Sequence, residues 1–187
     1  EPGCLFLALR GANFDGHQAA AEAAEKKAAA IIVSKEVELP EHTETTLIRV
    51  EDTRYALAFV SAAWFDHPAK KLTTIGITGT KGKTTTTYLV KSILENAGRK
   101  VGLVGTIEII IGDTHIHAVN TTPESYLLQE YFAKMVESGC DTVVMEVSSQ
   151  ALMLHRTQGF VFDFGIFTNL EPCLLYTSDA ADDMQCV

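Results

Sequence analysis

Blocks of apolar and polar residues change their period along the chain and mark out two successive strand–helix assemblies. In the first, "CLFLAL" (4–9) reads as a strand and "QAAAEAAEKKAA" (18–29) as an Ala-rich helix. "AIIV" (30–33) and "TLIRV" (46–50) read as further strands. "TRYALAFVSAAWF" (53–65) has apolar residues at helical spacing, and Trp64 with Phe59 and Phe65 is expected in the core of this small domain. The polar, proline-bearing "DHPAKK" (66–71) reads as a boundary.

The second assembly begins with "LTTIGIT" (72–78), a strand entering a Gly-rich loop. "TTTTYLVKSILENAG" follows as a helix closing at Gly98, then "KVGLVGT" as a strand. "IEIIIGDTHIHAV" reads as a hairpin turning at Gly112-Asp113. "PESYLLQEYFAKMVESG" reads as a helix with Pro123 at an N1-like position and Gly139 at its end. "CDTVVMEVSS" and "FDFGIFTNL" are each a strand running into a polar turn. Strand–helix alternation of this kind predicts an α/β protein: a small α/β N-terminal domain (1–67), then a mostly parallel central sheet with flanking helices (68–170). After Leu170 the periodicity stops. "CLLYTSDAADDMQCV" resembles translated adapter sequence, so 171–187 is expected to be a non-native or disordered tail without function.

Composition narrows the function classes. With 47% apolar and 21% charged residues, the 187-residue chain has the balance of a soluble globular protein. A net charge of −9 argues against a generic nucleic-acid surface, although Glu171, Asp179, Asp182 and Asp183 in the last stretch supply four of those charges. No apolar run reaches the roughly 18 residues that span a bilayer. Cys4, Cys140, Cys173 and Cys186 have no zinc-ligand spacing and read as free thiols, which fits a reducing cytoplasm.

The candidate chemistry starts at Gly79-Thr80-Lys81-Gly82-Lys83-Thr84-Thr85. The usual phosphate-binding loop has its first glycine where this chain has Ile77. The physics nevertheless survives. A strand delivers the loop, glycines let backbone N–H groups face an anion, and the following helix adds its positive N-terminus. Lys83 is expected to reach the β- and γ-phosphates of ATP, and the Thr84 hydroxyl to ligate Mg²⁺. The competing reading is an ordinary Gly-rich turn with a surface lysine. Glu146, closing the apolar "TVVMEV", stands where open α/β sheets present functional groups and is the expected second magnesium ligand; the alternative is a salt-bridged or solvated strand-end acid.

The stretches "GITGTKGKTTT", "NTTPES", "MEVSSQAL" and "FTNL", in that order, resemble the Mur ligases, and "CLFLALRGANFDGHQ" further resembles their MurE type. The shortened loop is a hallmark of that family. The resemblance implies an ATP-dependent, amide-forming ligase of peptidoglycan synthesis, and hence of cell-wall biogenesis, cell shape and division. It would add a third amino acid, meso-diaminopimelate or L-lysine, to UDP-N-acetylmuramoyl-L-alanyl-D-glutamate through an acyl phosphate. It also implies a cytoplasmic monomer with no nucleic-acid or membrane partner. This chain would hold most of the uridine-sugar domain and the first half of the P-loop-type central domain, so it is not expected to catalyse ligation alone.

Carried over residue by residue, the resemblance makes Lys83 and Glu146 catalytic, and gives ATP Gly79, Thr80, Lys81, Gly82, Lys83, Thr84 and Thr85. Thr84 and Glu146 would serve magnesium. Asn120, Thr121, Thr122, Ser148 and Arg156 would contact the sugar-peptide, with Arg156 pairing a carboxylate or diphosphate. Ala12, Asn13 and Phe14 would meet the uridine. Two departures stand out: Lys81 where the family most often has Asn, and Leu154 where MurE enzymes often have Gln. A folylpolyglutamate synthase-like or cyanophycin synthetase-like ligase shares the loop, and a generic P-loop ATPase or kinase is the more distant alternative. His115 and His117 share one strand face but lack a third ligand nearby, so exposed hairpin positions are expected.

Overall fold

The computed structural model describes residues 2–11 and 13–171, so Ala12 and the tail after Glu171 lie outside the described residues. The chain divides into two compact units, one ending at Leu57 and one beginning at Ala58.

In the first unit, β1 (Leu5–Leu7), β2 (Ala30–Val33) and β3 (Thr46–Arg49) form a parallel sheet in that order. The Ala-rich segment is shorter than its composition suggests. A 3₁₀ turn at Gly16–Ala19 leads into α1 (Ala20–Glu25), and Lys27 ends the run by taking a φ of 62°. The chain there turns back to feed β2, with Gly3 N–H donating to the Lys27 carbonyl and Ala29 N–H to that of Cys4. Ala8, Ala20, Ala24, Ile31 and Val33 make the core, the small alanines letting α1 approach the sheet closely.

Helix α2 (Thr53–Trp64) crosses the division between the units. Its helical period is as expected, but the aromatic core is not. Trp64 is 75% exposed and Phe59 is exposed, while Phe65 packs against Tyr126 at 5.2 Å. The buried face of α2 is the small-residue one, Ala58, Ser61 and Ala62, at helical spacing. Between Phe59 and those residues the same period describes two faces, and close packing selects the smaller.

The second unit holds β4 (Thr73–Thr78), α3 (Lys83–Asn96), β5 (Val101–Val104), β6 (Glu108–Ile111) and β7 (Thr114–His117). It continues with α4 (Ser125–Glu137), β8 (Thr142–Glu146), α5 (Ser149–Met153) and β9 (Phe164–Phe167). The six-stranded sheet has the order β7-β6-β5-β8-β4-β9. Strands β5, β8, β4 and β9 run parallel, and the β6–β7 hairpin adds antiparallel strands at one edge. Gly98 and Gly139 take positive φ just beyond α3 and α4. Pro123 lies outside its helix rather than at N1, because the extended Glu124 is the N-cap.

Alternation along the fully buried β8 positions the site. Val143, Met145 and Val147 pack with Leu128, Phe132 and Met135 of α4. Val144 belongs to the opposite cluster, with Ile75, Ile77, Val101 and the α3 residues Val90 and Leu94. Two residues on from Val144, Glu146 therefore faces α3. The mixed α/β architecture with a mostly parallel second sheet is the one expected.

Candidate active site

The carboxyl ends of four adjacent strands converge. In spatial order they deliver Thr106 after β5, Glu146 at the end of β8, the loop 79–82 after β4 and Thr168-Asn169 after β9. This is where open α/β sheets hold ligands.

The loop has the conformation its glycines permit. Gly79 has a φ of 138° and Gly82, the N-cap of α3, a φ of 83°. Lys83 opens the helix and is buried, its Nζ donating to the carbonyls of Gly79 at 2.8 Å and Thr80 at 3.4 Å. The ammonium thus lies folded over its own loop, beside the first-turn N–H groups of a fourteen-residue helix. Those groups have no intrahelical acceptors and carry the positive end of the helix dipole. A phosphate entering here meets a cation and aligned donors. Thr80 and Lys81 extend the loop on its exposed side, and Thr85 lies exposed in the first turn of α3.

Glu146 is 1% exposed, and such a carboxylate needs partners. Its Oε2 accepts from the Thr84 hydroxyl at 2.9 Å and from the Thr106 hydroxyl at 3.1 Å; its Oε1 accepts from the Thr106 N–H at 2.8 Å. A Cβ on Gly105 would stand 2.6 Å from Oε1, so a glycine is needed there for the carboxylate to reach this position. Gly105-Thr106 was not singled out from the sequence; its signal is a Gly-Thr pair directly after an apolar strand.

The donors fit magnesium. Thr84 and Glu146 bring hydroxyl and carboxylate oxygens together, the hard ligands that Mg²⁺ prefers. Among the described residues no group of three or more His, Cys, Asp or Glu is placed to hold a metal. A cation here would complete its shell with water and phosphate oxygens, as Mg²⁺ commonly does.

The Asn-Thr-Thr segment is joined to the backbone of the same residue. Thr122 is 1% exposed; its hydroxyl donates to the Glu146 carbonyl at 2.9 Å and accepts from the Ser148 N–H at 3.1 Å. The Thr121 and Thr106 hydroxyls lie 3.0 Å apart. Ser148 is the N-cap of α5, its Oγ accepting from Ala151 N–H, while Asn120 is exposed at the edge of the group. Helix α5 replaces what the sequence suggested was only a polar turn. Arg156 is engaged by the protein itself. Its guanidinium meets Glu124 Oε1 at 2.8 Å and 3.0 Å and donates to the Thr122 carbonyl at 3.1 Å. That geometry makes Arg156 a clamp on the Thr122–Glu124 turn. Leu154 follows as the C-cap of α5.

In the first unit, Asn13 and Phe14 lie on a tight turn. Gly11 N–H donates to the Phe14 carbonyl at 2.9 Å and Gly16 N–H to that of Leu9 at 2.8 Å. Phe14 is 58% exposed. A buried histidine braces this turn. Ser34 N–H donates to His17 Nε2 at 3.0 Å, so His17 carries its proton on Nδ1, which lies 2.6 Å from Asp15 Oδ1. Lys35 first, and His17 next, hold the Asp15 carboxyl well below the usual carboxylate range.

One turn along α3 from Thr84, Tyr88 hydrogen-bonds Glu108 at 2.8 Å, and His115 meets the same carboxylate at 2.7 Å. Burial, with Glu108 adding to it, pushes the Tyr88 hydroxyl up to about 12. His115 and His117 lie exposed on the hairpin.

Comparison with known proteins gives a consistent result. The family model described as Mur ligase middle domain matches residues 77–173, and that described as Mur ligase family, catalytic domain, matches residues 1–65. The chain is 49% identical over 170 residues to the UDP-N-acetylmuramoyl-L-alanyl-D-glutamate–2,6-diaminopimelate ligase of Clostridium perfringens, covering 91% of this chain and 35% of that protein. To ligase 1 of the same name from Clostridium acetobutylicum it is 50% identical over 167 residues, covering 89% of this chain and 34% of that protein. A solved structure of a ligase of that name aligns with a TM-score of 0.75 at 21% identity, over 100% of this chain and 37% of the other, and so shares the fold. The chain spans about a third of the length of the curated relatives it matches.

Proposed function

Because the chain belongs to the Mur ligase family, we propose that it carries the nucleotide loop and much of the sugar-peptide site of a MurE-type ligase. The reaction joins the third amino acid to UDP-N-acetylmuramoyl-L-alanyl-D-glutamate at the expense of ATP. The observation that carries this reading is the Thr84–Glu146 contact at 2.9 Å beside the buried Lys83, at the mouth of a parallel sheet.

A carboxylate is a poor acyl donor because its oxygen leaves badly. Transfer of the γ-phosphoryl group to the D-glutamyl carboxylate turns that oxygen into a phosphate leaving group and releases ADP. The incoming amine then attacks the carbonyl carbon, the C–O bond to phosphate breaks, and an amide forms as the amine loses its proton. The obstacle is repulsion between two anions that must meet. Lys83 lowers it by exchanging its loop carbonyls for phosphate oxygens, and the first-turn amides of α3 supply further donors. Thr84 and Glu146 would hold a magnesium ion, which would supply additional neutralisation of phosphate charge. Thr121, Thr122 and Ser148 set the sugar-peptide beside Glu146, with Arg156 keeping their turn in place and Asn120 at its rim. Asn13 and Phe14 present an amide and an aromatic face to the uridine, with Ala12 between Gly11 and Asn13 in sequence.

The relatives named above are 2,6-diaminopimelate ligases, which favours diaminopimelate over L-lysine as the amino acid. The setting is peptidoglycan synthesis by a monomeric cytoplasmic enzyme. No described helix is long and apolar enough to cross a membrane. Calorimetric titration of the chain with the UDP-sugar dipeptide tests the reading. Saturable binding supports it; Mg-ATP binding without sugar-dipeptide binding moves the assignment to another ligase or a generic ATPase.

A further inference from the structure

The "FTNL" stretch has no part in the reaction described so far, yet it makes the densest set of bonds to the nucleotide loop. From the end of β9, Thr168 N–H donates to the Thr78 carbonyl at 2.9 Å, and the Thr168 hydroxyl donates to the Lys81 carbonyl at 2.8 Å. The Asn169 carbonyl accepts from Thr80 N–H at 3.1 Å. The Asn169 carboxamide closes on Lys81 from both sides, Oδ1 accepting its N–H at 3.0 Å and Nδ2 donating to its carbonyl at 3.0 Å. Glu171, placed in the tail by the sequence reading but inside the segment matched as Mur ligase middle domain, adds an N–H to the Thr80 hydroxyl at 3.1 Å and a carboxylate 2.8 Å from Lys81 Nζ.

A second observation agrees. A Cβ at Gly79 would stand 2.1 Å from Thr168 Oγ1 and 2.9 Å from the Asn169 carbonyl, so the glycine leaves room for this segment. We propose that Thr168 and Asn169 form a strap that sets the loop before nucleotide arrives, with Asn169 as a positioning residue for the phosphate site. The strap takes up the N–H groups of Thr80 and Lys81, so phosphate recognition falls to Lys83 and the first-turn amides of α3. A loop held in its binding conformation loses less entropy when phosphate binds. The proposal rests on the nucleotide-loop reading above.

The test combines Mg-ATP titration of this chain with amide hydrogen exchange at Lys81 and a thermal melt. Asn169→Ala is expected to raise the Mg-ATP Kd about tenfold and to expose the Lys81 amide to exchange, with a cooperative melt retained. Thr168→Val, nearly isosteric but without the hydroxyl, is expected to weaken ATP likewise, and Thr168→Ser to restore it. This Val/Ser pair keeps the test open if Asn169→Ala does not fold. If folded Asn169→Ala and Thr168→Val bind Mg-ATP like the unsubstituted chain while Lys83→Ala does not, the strap is overturned and the nucleotide site stands. If the folded, unsubstituted chain does not bind Mg-ATP, the nucleotide reading falls and the strap's proposed role falls with it.

Discussion

The Thr84 hydroxyl lies 2.9 Å from Glu146 Oε2, tying the first turn of α3 to the last residue of the neighbouring strand β8. A helix start that favours phosphate and a carboxylate that favours a cation are thereby held in one place. Glu146→Gln keeps the volume but replaces one acceptor oxygen with a donor, against Thr84 and Thr106. It is expected to weaken Mg-dependent ATP binding by about tenfold to a hundredfold. Titration with Mg-ATP and with metal-free ATP separates the loss of metal from loss of the nucleotide loop, since the second value should change little.

Thr106 acts through Glu146, on which both its N–H and its hydroxyl converge. Thr106→Val removes the hydroxyl and leaves the N–H in place. About 1–2 kcal/mol of stability is expected to be lost in denaturant unfolding, because a buried carboxylate loses one of three donors. Gly105→Ala should do more harm. Its new Cβ would stand 2.6 Å from Glu146 Oε1, so the carboxylate must shift and Mg-dependent affinity should fall with the melting temperature.

Arg156 spends its guanidinium on Glu124 and the Thr122 carbonyl. If it acts as a clamp, Glu124→Gln should reproduce much of the sugar-dipeptide defect of Arg156→Ala, about tenfold in Kd. A direct pairing of Arg156 with substrate predicts the opposite pattern, with Glu124→Gln leaving affinity unchanged or improved. Calorimetry on the two variants distinguishes them.

Asp163 joins the start of β9 to β4, its Oδ2 accepting from Thr74 N–H at 2.7 Å and from the Thr74 hydroxyl at 3.0 Å. The Thr74 N–H first, and its hydroxyl next, hold the carboxyl below its ordinary value. A carboxyl depressed on folding stabilises the fold above its unfolded pKa of about 3.9, and that contribution disappears as pH falls through the folded value. Asp163→Asn should therefore lower the melting temperature at neutral pH, and the gap should close progressively below about pH 4. A gap independent of pH would assign the effect to something other than the charge.

The sequence made the strands, the loop and Glu146 legible for a common reason. Each depends on local spacing: alternation along "TVVME", glycines between a strand and a helix, an acid at a strand end. The residues that were missed act at long range. Thr106 meets Glu146 across 40 positions and Asn169 meets Lys81 across 88, and no local period encodes either pairing. Arg156 was singled out through the family resemblance, as a substrate contact; its partner Glu124, 32 positions away, was not. Trp64 went wrong differently. Helical spacing on α2 fits two faces, and the buried one is selected by the close fit of Ala58, Ser61 and Ala62.

Mg-ATP binding by the folded chain, compared with Lys83→Ala, tests the central claim most directly. Lys83 is the one loop side chain whose ammonium already lies over the loop carbonyls. Saturable binding is predicted for the unsubstituted chain, with a loss of at least about a hundredfold in Lys83→Ala at an unchanged fold. Equal binding by the two proteins would mean that the loop is not the phosphate site.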